Sequence, residues 1–250
     1  MMRPALSYRQ TKPPESWQEL SNGEEILFAI NTSLAAWWPR LFGYHLLKIG
    51  DLSGDIASHN CAIKHQVTIS PNRGDNHVVG AIDDLPFVKH AVDVCVLAHA
   101  LEFTSDPHHL VREASRVVIP NGYLIITGFN AFSLAGMNRY IPFRRQRSPW
   151  NERFFSPMRV KDWLHLLGFE ILQDSRVIHH SLACEMGHST LSKKWQSLAR
   201  YVFPSLGSVY VIVAKKREWP LTPIKPKMRI RPSFTPVKVS TMNQPKQYKK

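Results

Sequence analysis

The nine residues Leu46-Leu47-Lys48-Ile49-Gly50-Asp51-Leu52-Ser53-Gly54 constrain the fold of this chain more than any others. An apolar run of strand length enters a turn carrying two glycines, and a helical pattern follows. Glycine is used where the backbone must take positive φ or approach something closely. A strand, glycine turn and helix in this order belong to open α/β sheets. The turn then lies at the carboxyl end of the strand, the end at which such sheets bind ligands.

The rest of the chain repeats that alternation. Ile26, Leu27, Ile30, Leu34 and Trp37/Trp38 recur at helical spacing and predict an amphipathic helix over Glu24 to Trp38. Ser21 with Glu24, or Asn22 with Glu25, offers it a capping box. The strand patterns are Tyr44 to Gly50, Val67 with Ile69, Val78/Val79, Ala91 to Ala98, Tyr123 to Phe129, Phe169 to Leu172 and Ser208 to Ala214. A helix is expected from Gly54 to near Cys61. Asp106-Pro107 and Ser156-Pro157 each pair an N-cap residue with proline at the first helical position. They open helices running to Val117 and through Trp163 to Gly168. Pro120-Asn121-Gly122 reads as a turn. Strands alternating with helices predict a doubly wound, Rossmann-like α/β sheet.

Charge is unevenly spread. Of a formal net charge of +13, eight positive charges lie between Pro220 and Lys250, with six prolines and no acid. This stretch reads as a basic, disordered tail. A second basic run, Arg139, Arg144, Arg145, Arg147, Arg153 and Arg159, interrupts the folded region. Either could meet an anionic ligand or nucleic acid. No run approaches the ~18 apolar residues of a membrane helix. The N-terminus lacks a signal-peptide core, and the three scattered cysteines read as reduced thiols, so a cytoplasmic protein without a membrane span is expected. His59, Cys61 and His65 lack a fourth partner for a structural zinc, and no metal site is expected.

Further segments carry a resemblance. Asp84-Leu85-Pro86-Phe87, Val92-Asp93-Val94-Cys95-Val96-Leu97, His99-Ala100-Leu101-Glu102, Arg112-Glu113 and Arg116 to Leu124 follow the turn in order. With Lys161 to Leu164, Leu167 to Glu170 and Ala214 to Lys216, they resemble the class I S-adenosylmethionine-dependent methyltransferases, of the methyltransferase type 11 kind. The whole chain is similar to an uncharacterised bacterial group within them. The resemblance implies a seven-stranded sheet, mostly parallel with an antiparallel last strand, and S-adenosyl-L-methionine across the carboxyl ends of the first four strands. It divides the chain into an N-terminal helical extension (1–43), a methyltransferase-like domain (44–217) and the tail (218–250). Within the domain, 130–155 would be a lid or substrate loop and 178–206 an insertion.

Carried over residue by residue, the implied cofactor set is Lys48, Gly50, Asp51, Leu52, Gly54, Thr68, Ile69, Ala81, Ile82 and Leu97. Lys48 stands where the family has an acid and Leu52 where it has the middle glycine. Thr68 replaces the carboxylate that accepts both ribose hydroxyls, and Ala81 the acid on the adenine side. Leu52 is expected to crowd the ligand. His99, with an unperturbed pKa near neutrality, is the candidate base. Glu102, Asn130, Arg139 and Arg144 are candidate contacts to the substrate, a small or anionic acceptor. A binding or regulatory protein that kept the fold and lost turnover is the alternative, and an RNA-binding methyltransferase the third reading.

Overall fold

The computed structural model describes residues 13–72, 77–138, 141, 148–179, 182 and 206–218. Its centre is a seven-stranded sheet in the order β3-β2-β1-β4-β5-β7-β6. The strands are β1 (His45–Ile49), β2 (His65–Ser70), β3 (His77–Val79), β4 (Val92–Ala98), β5 (Val118–Phe129), β6 (Phe169–Val177) and β7 (Val209–Lys216). β1 to β5 run parallel, and β7 enters antiparallel between β5 and β6. The Rossmann-like sheet expected from the sequence is present.

Side chains on a strand alternate between faces, and both faces are buried here. Leu46, Val94, Val96, Ile125, Val211 and Val213 face one layer, with Ile26, Ile30 and Leu34 of α1 (Gly23–Leu34), Trp17 and Leu41. Leu47, Ile49, Cys95, Leu97, Leu124, Ile126 and Ile212 face the other layer. They meet Leu110, Val111 and Ala114 of α3 (Pro107–Val117), and Val160 and Leu164 of α5 (Pro157–Leu166), the short α4 (Leu134–Met137) lying between those two helices in the chain. Burying each such aliphatic chain is worth roughly 1.5–3 kcal/mol. The N-terminal helix is therefore part of the core. Asp106 and Ser156 cap α3 and α5, accepting from His109 N and Arg159 N.

Three local expectations change. Asn22, not a capping-box side chain, begins α1; it takes left-handed φ and makes no side-chain cap bond. The helix expected from Gly54 is instead the four-residue α2 (Asp51–Gly54). Lys48 Nζ takes the carbonyls of Gly54 and Ile56 at 3.1 and 2.8 Å, leaving them unavailable to a longer helix. Pro120-Asn121-Gly122 does not end a strand but forms an irregularity inside β5, where pairing jumps from Val92↔Val118 to Val94↔Tyr123. A Cβ on Gly122 would lie 2.8 Å from Asp93 O, so the strand crosses there only with glycine.

Candidate functional site

β1 delivers the chain to Gly50, whose φ of 86° and ψ of 157° are accessible essentially to glycine alone. Gly50 N donates to Ile69 O at 2.8 Å, which fixes the turn against β2. Among the described residues a Cβ at Gly50 would meet nothing within 4 Å, so the backbone there borders space that none of them fills. Asp51 reaches across to the end of β2, accepting from Asn72 Nδ2 at 2.8 Å and from Ser70 Oγ. Ser53 Oγ donates to Ile49 O at 2.5 Å and accepts from Ala98 N at 2.8 Å. One hydroxyl thereby ties the glycine turn to the carboxyl ends of β1 and β4.

The two departures within the turn point into the scaffold. Leu52 is only 3 % exposed and packs in the α1 layer, so it does not crowd the open space as expected. Its carbonyl accepts from Trp17 Nε1 at 3.0 Å. Lys48 lies on the same face of β1 and spends its donors on Gly54 O and Ile56 O; burial lowers its pKa. Thr68 is its register partner on β2 and is buried. Ile69 and Leu97 are fully buried in the opposite layer, Ile82 is half-buried beside them and Ala81 is exposed. Of the implied cofactor set, Ala81 is exposed and Gly50, Asp51, Gly54 and Ile82 are half-buried, while Lys48, Leu52, Thr68, Ile69 and Leu97 are buried.

Past β4 the chain turns through His99, at φ 51°. His99 is fully buried between Trp17 and Phe129, with ring centroids 5.5 and 4.2 Å away, and neither ring nitrogen has a hydrogen-bond partner among the described residues. Burial pushes its pKa down to about 3, so the imidazole is neutral through the physiological range. It has the protonation state of a base but no exposed atom in this conformation. Glu102 Oε1 lies 3.8 Å from His99 Nδ1 and accepts from Phe129 N at 2.6 Å, while Oε2 has no partner. Burial raises the Glu102 carboxyl to about 8. Tyr210 OH on β7, beside the same Gly128 backbone, is buried with no hydrogen-bond partner among the described residues, and Thr127 Oγ1 is likewise without one on the other face of β5, where its register partner Val211 lies in the α1 layer.

Asn130 is used structurally. Its Nδ2 donates to Gly207 O at 3.0 Å, its Oδ1 accepts from Phe132 N, and its N–H meets Ser208 O, joining the end of β5 to the start of β7. Arg139 and Arg144 lie outside the described residues. Trp17, Asn72 and Tyr210 were not singled out in the sequence, because each joins the site from a separate element with no local pattern; Ser53 lies within the quoted turn, where nothing local shows that its hydroxyl meets Ala98 N of β4. Among the described residues no group of three or more His, Cys, Asp or Glu could hold a metal, and no helix is long and apolar enough to cross a membrane.

Residues 53–126 match the family model described as a methyltransferase domain. YafS of Escherichia coli K12, an uncharacterised protein, is 41% identical over 221 residues, 88% of each chain. Among solved structures, an S-adenosylmethionine-dependent methyltransferase of Thermotoga maritima aligns at a TM-score of 0.58 and 19% identity, over 77% of this chain and 89% of its own. The methyltransferase found in complex with the Haloferax volcanii Trm112 activator aligns at 0.58 and 16% identity, over 79% and 94%.

Proposed function

Starting from a chain that belongs to the class I S-adenosylmethionine-dependent methyltransferase family, we propose that it transfers a methyl group to a small-molecule acceptor at the carboxyl ends of β1 and β4. The observation carrying this reading is the Gly50 turn, a positive-φ backbone bordering open space. It fits a ligand that must approach main-chain amides without a Cβ between them. Gly50 would hold the methionine end of the cofactor. Asp51, already at the end of β2 with Ser70 and Asn72, is the carboxylate available to ribose hydroxyls where Thr68 supplies none.

The cofactor supplies an electrophilic methyl on a sulfonium, and in-line placement of the acceptor provides much of the acceleration. This chain's residues bind, orient and exclude water. Trp17 closes over the Leu52 carbonyl, and Trp17, His99 and Phe129 form one wall. The acceptor site lies past β5, and Arg139 and Arg144 would favour an anionic group on the acceptor. Incubating the protein with methyl-labelled S-adenosylmethionine and pooled small metabolites tests transfer. Labelled product that is lost in a Gly50→Val variant supports the reading. The second reading, a binding protein without turnover, is favoured by the absence of carboxylates at Lys48, Thr68 and Ala81; it predicts cofactor binding with no label transferred from any pool.

A further inference from the structure

The end of the sheet opposite the glycine turn carries two histidines that the scheme above leaves unused. His45 is the first residue of β1 and His65 the first of β2, and they are register partners on neighbouring parallel strands. Partners in register project to the same face of a sheet. Their Nδ1 atoms are 2.9 Å apart, with ring centroids 4.8 Å apart and ring planes at 87°. Both residues are exposed, so a dissolved ion reaches them directly. Along the chain His65 stands nearest to Cys61 and His59; the fold pairs it with a histidine 20 residues before it.

The backbone under both rings is anchored. Asp93 Oδ2 on β4 accepts from Tyr44 N at 2.7 Å and from His45 N at 2.9 Å. That carboxylate fixes the start of β1 and sets a negative charge beside it. At the start of β2, Gln66 accepts from Ser58 Oγ at 2.6 Å and donates to the carbonyls of Ser58 and Ile63. Donors held on anchored strands lose little freedom when an ion binds.

The spacing points to a metal geometry. Two metal–imidazole bonds of the usual length place their nitrogens about 2.9 Å apart when they meet at a right angle and about 3.3 Å apart at the tetrahedral angle. The observed separation is the right-angle one, which belongs to the square-planar and tetragonal ions Cu2+ and Ni2+. The terminal torsion of histidine is broad, so small ring rotations bring both lone pairs onto one point.

We propose that His45 and His65 form a two-imidazole site for a divalent transition ion of tetragonal preference, Cu2+ or Ni2+, with water completing the coordination. Between two neutral rings one Nδ1 carries the bridging proton. The ion takes the place of that proton, which passes through solvent to Nε2 of its own ring, and both imidazoles stay neutral. The bound ion then ties the first residues of β1 and β2 together. The site is independent of the cofactor reading, since it lies at the amino ends of the strands.

Titrating the full chain with copper chloride at pH 7 and recording electron paramagnetic resonance tests the assignment. The tightest site should show a tetragonal spectrum split by two nitrogens. A second imidazole held in place adds roughly 100-fold in avidity, so His45→Gln and His65→Gln should each weaken that site by about this factor and leave a one-nitrogen signal. With Ni2+ at about 100 times its dissociation constant the wild type should melt roughly 5–10 °C higher, and neither variant should move. In amide spectra of the wild type, a trace of Cu2+ should broaden residues 44–46 and 64–66 first. Equal affinity in the variants, a tightest site without two nitrogens, or broadening centred elsewhere overturns the proposal. The wild-type spectra decide the matter even if a variant fails to fold.

Discussion

Replacing Lys48 with glutamate writes the family's usual acid back into the glycine turn, and the structure predicts damage rather than repair. Lys48 Nζ donates to Gly54 O at 3.1 Å and Ile56 O at 2.8 Å, from a side chain only 7 % exposed. Hydrogen bonds from a charged donor are worth roughly 1.5–3 kcal/mol each. Glutamate forfeits both and sets carboxyl oxygens against carbonyl oxygens. The ammonium is not wholly desolvated, which trims the loss, and about 3–5 kcal/mol is expected. For a chain of this size that is roughly 6–20 °C in melting temperature. Lys48→Met loses the hydrogen bonds without adding repulsion and should fall about halfway between. Melting by circular dichroism, with titration of S-adenosylmethionine on whatever remains folded, measures both consequences. A Lys48→Glu protein that melts with the wild type and binds cofactor more tightly would refute the reasoning. It would mean that Lys48 faces the ligand and not α2.

Other perturbations separate scaffold from site. Gly50→Ala should cost about 1–3 kcal/mol through its φ of 86°, yet weaken S-adenosylhomocysteine more than tenfold by filling the open space; unchanged affinity would place the ligand elsewhere. Trp17→Phe removes the hydrogen bond to Leu52 O while keeping most of the aromatic contact, so stability should fall by about 1 kcal/mol, read by denaturant melts. Glu102 binds its proton in the folded chain up to about pH 8, but only to the ordinary carboxylate range when unfolded. Folded stability therefore declines as pH rises through that window and levels off above it. Relative to Glu102→Gln, the wild type should lose about 2–3 kcal/mol between pH 5 and 7, with the His99 contribution common to both; parallel pH profiles would contradict the burial argument.

The sheet was legible because its central strands β4, β5 and β7 carry long apolar runs and α3 and α5 announce themselves with Asp106-Pro107 and Ser156-Pro157. The glycine turn was legible for the same local reason. What the sequence concealed was direction. Leu52 read as an intrusion into a pocket, and Lys48 as a substitute for an acid beside it, because a linear pattern does not say which face of the sheet lies over α1. In the structure both turn toward that layer and strengthen it. The helix after Gly54 was overestimated because its competitor for carbonyls, Lys48, lies on the preceding strand. Trp17 and Tyr210 carried no local signal, since each is defined by what a distant element brings beside it. Asn130 was visible as polar and placed at the right end of the sheet, but the carbonyl of Gly207 that occupies its amide lies 77 residues away.

The account turns on whether the Gly50 turn receives the cofactor. Isothermal titration of the full chain with S-adenosylmethionine and S-adenosylhomocysteine, at ligand concentrations up to a few millimolar, addresses this directly. One saturable site is expected, with a dissociation constant between about 1 μM and 1 mM, roughly −8 to −4 kcal/mol. The weak end of that range would reflect the missing acids at Thr68 and Ala81. No heat and no thermal shift with either ligand at millimolar concentration would contradict the account.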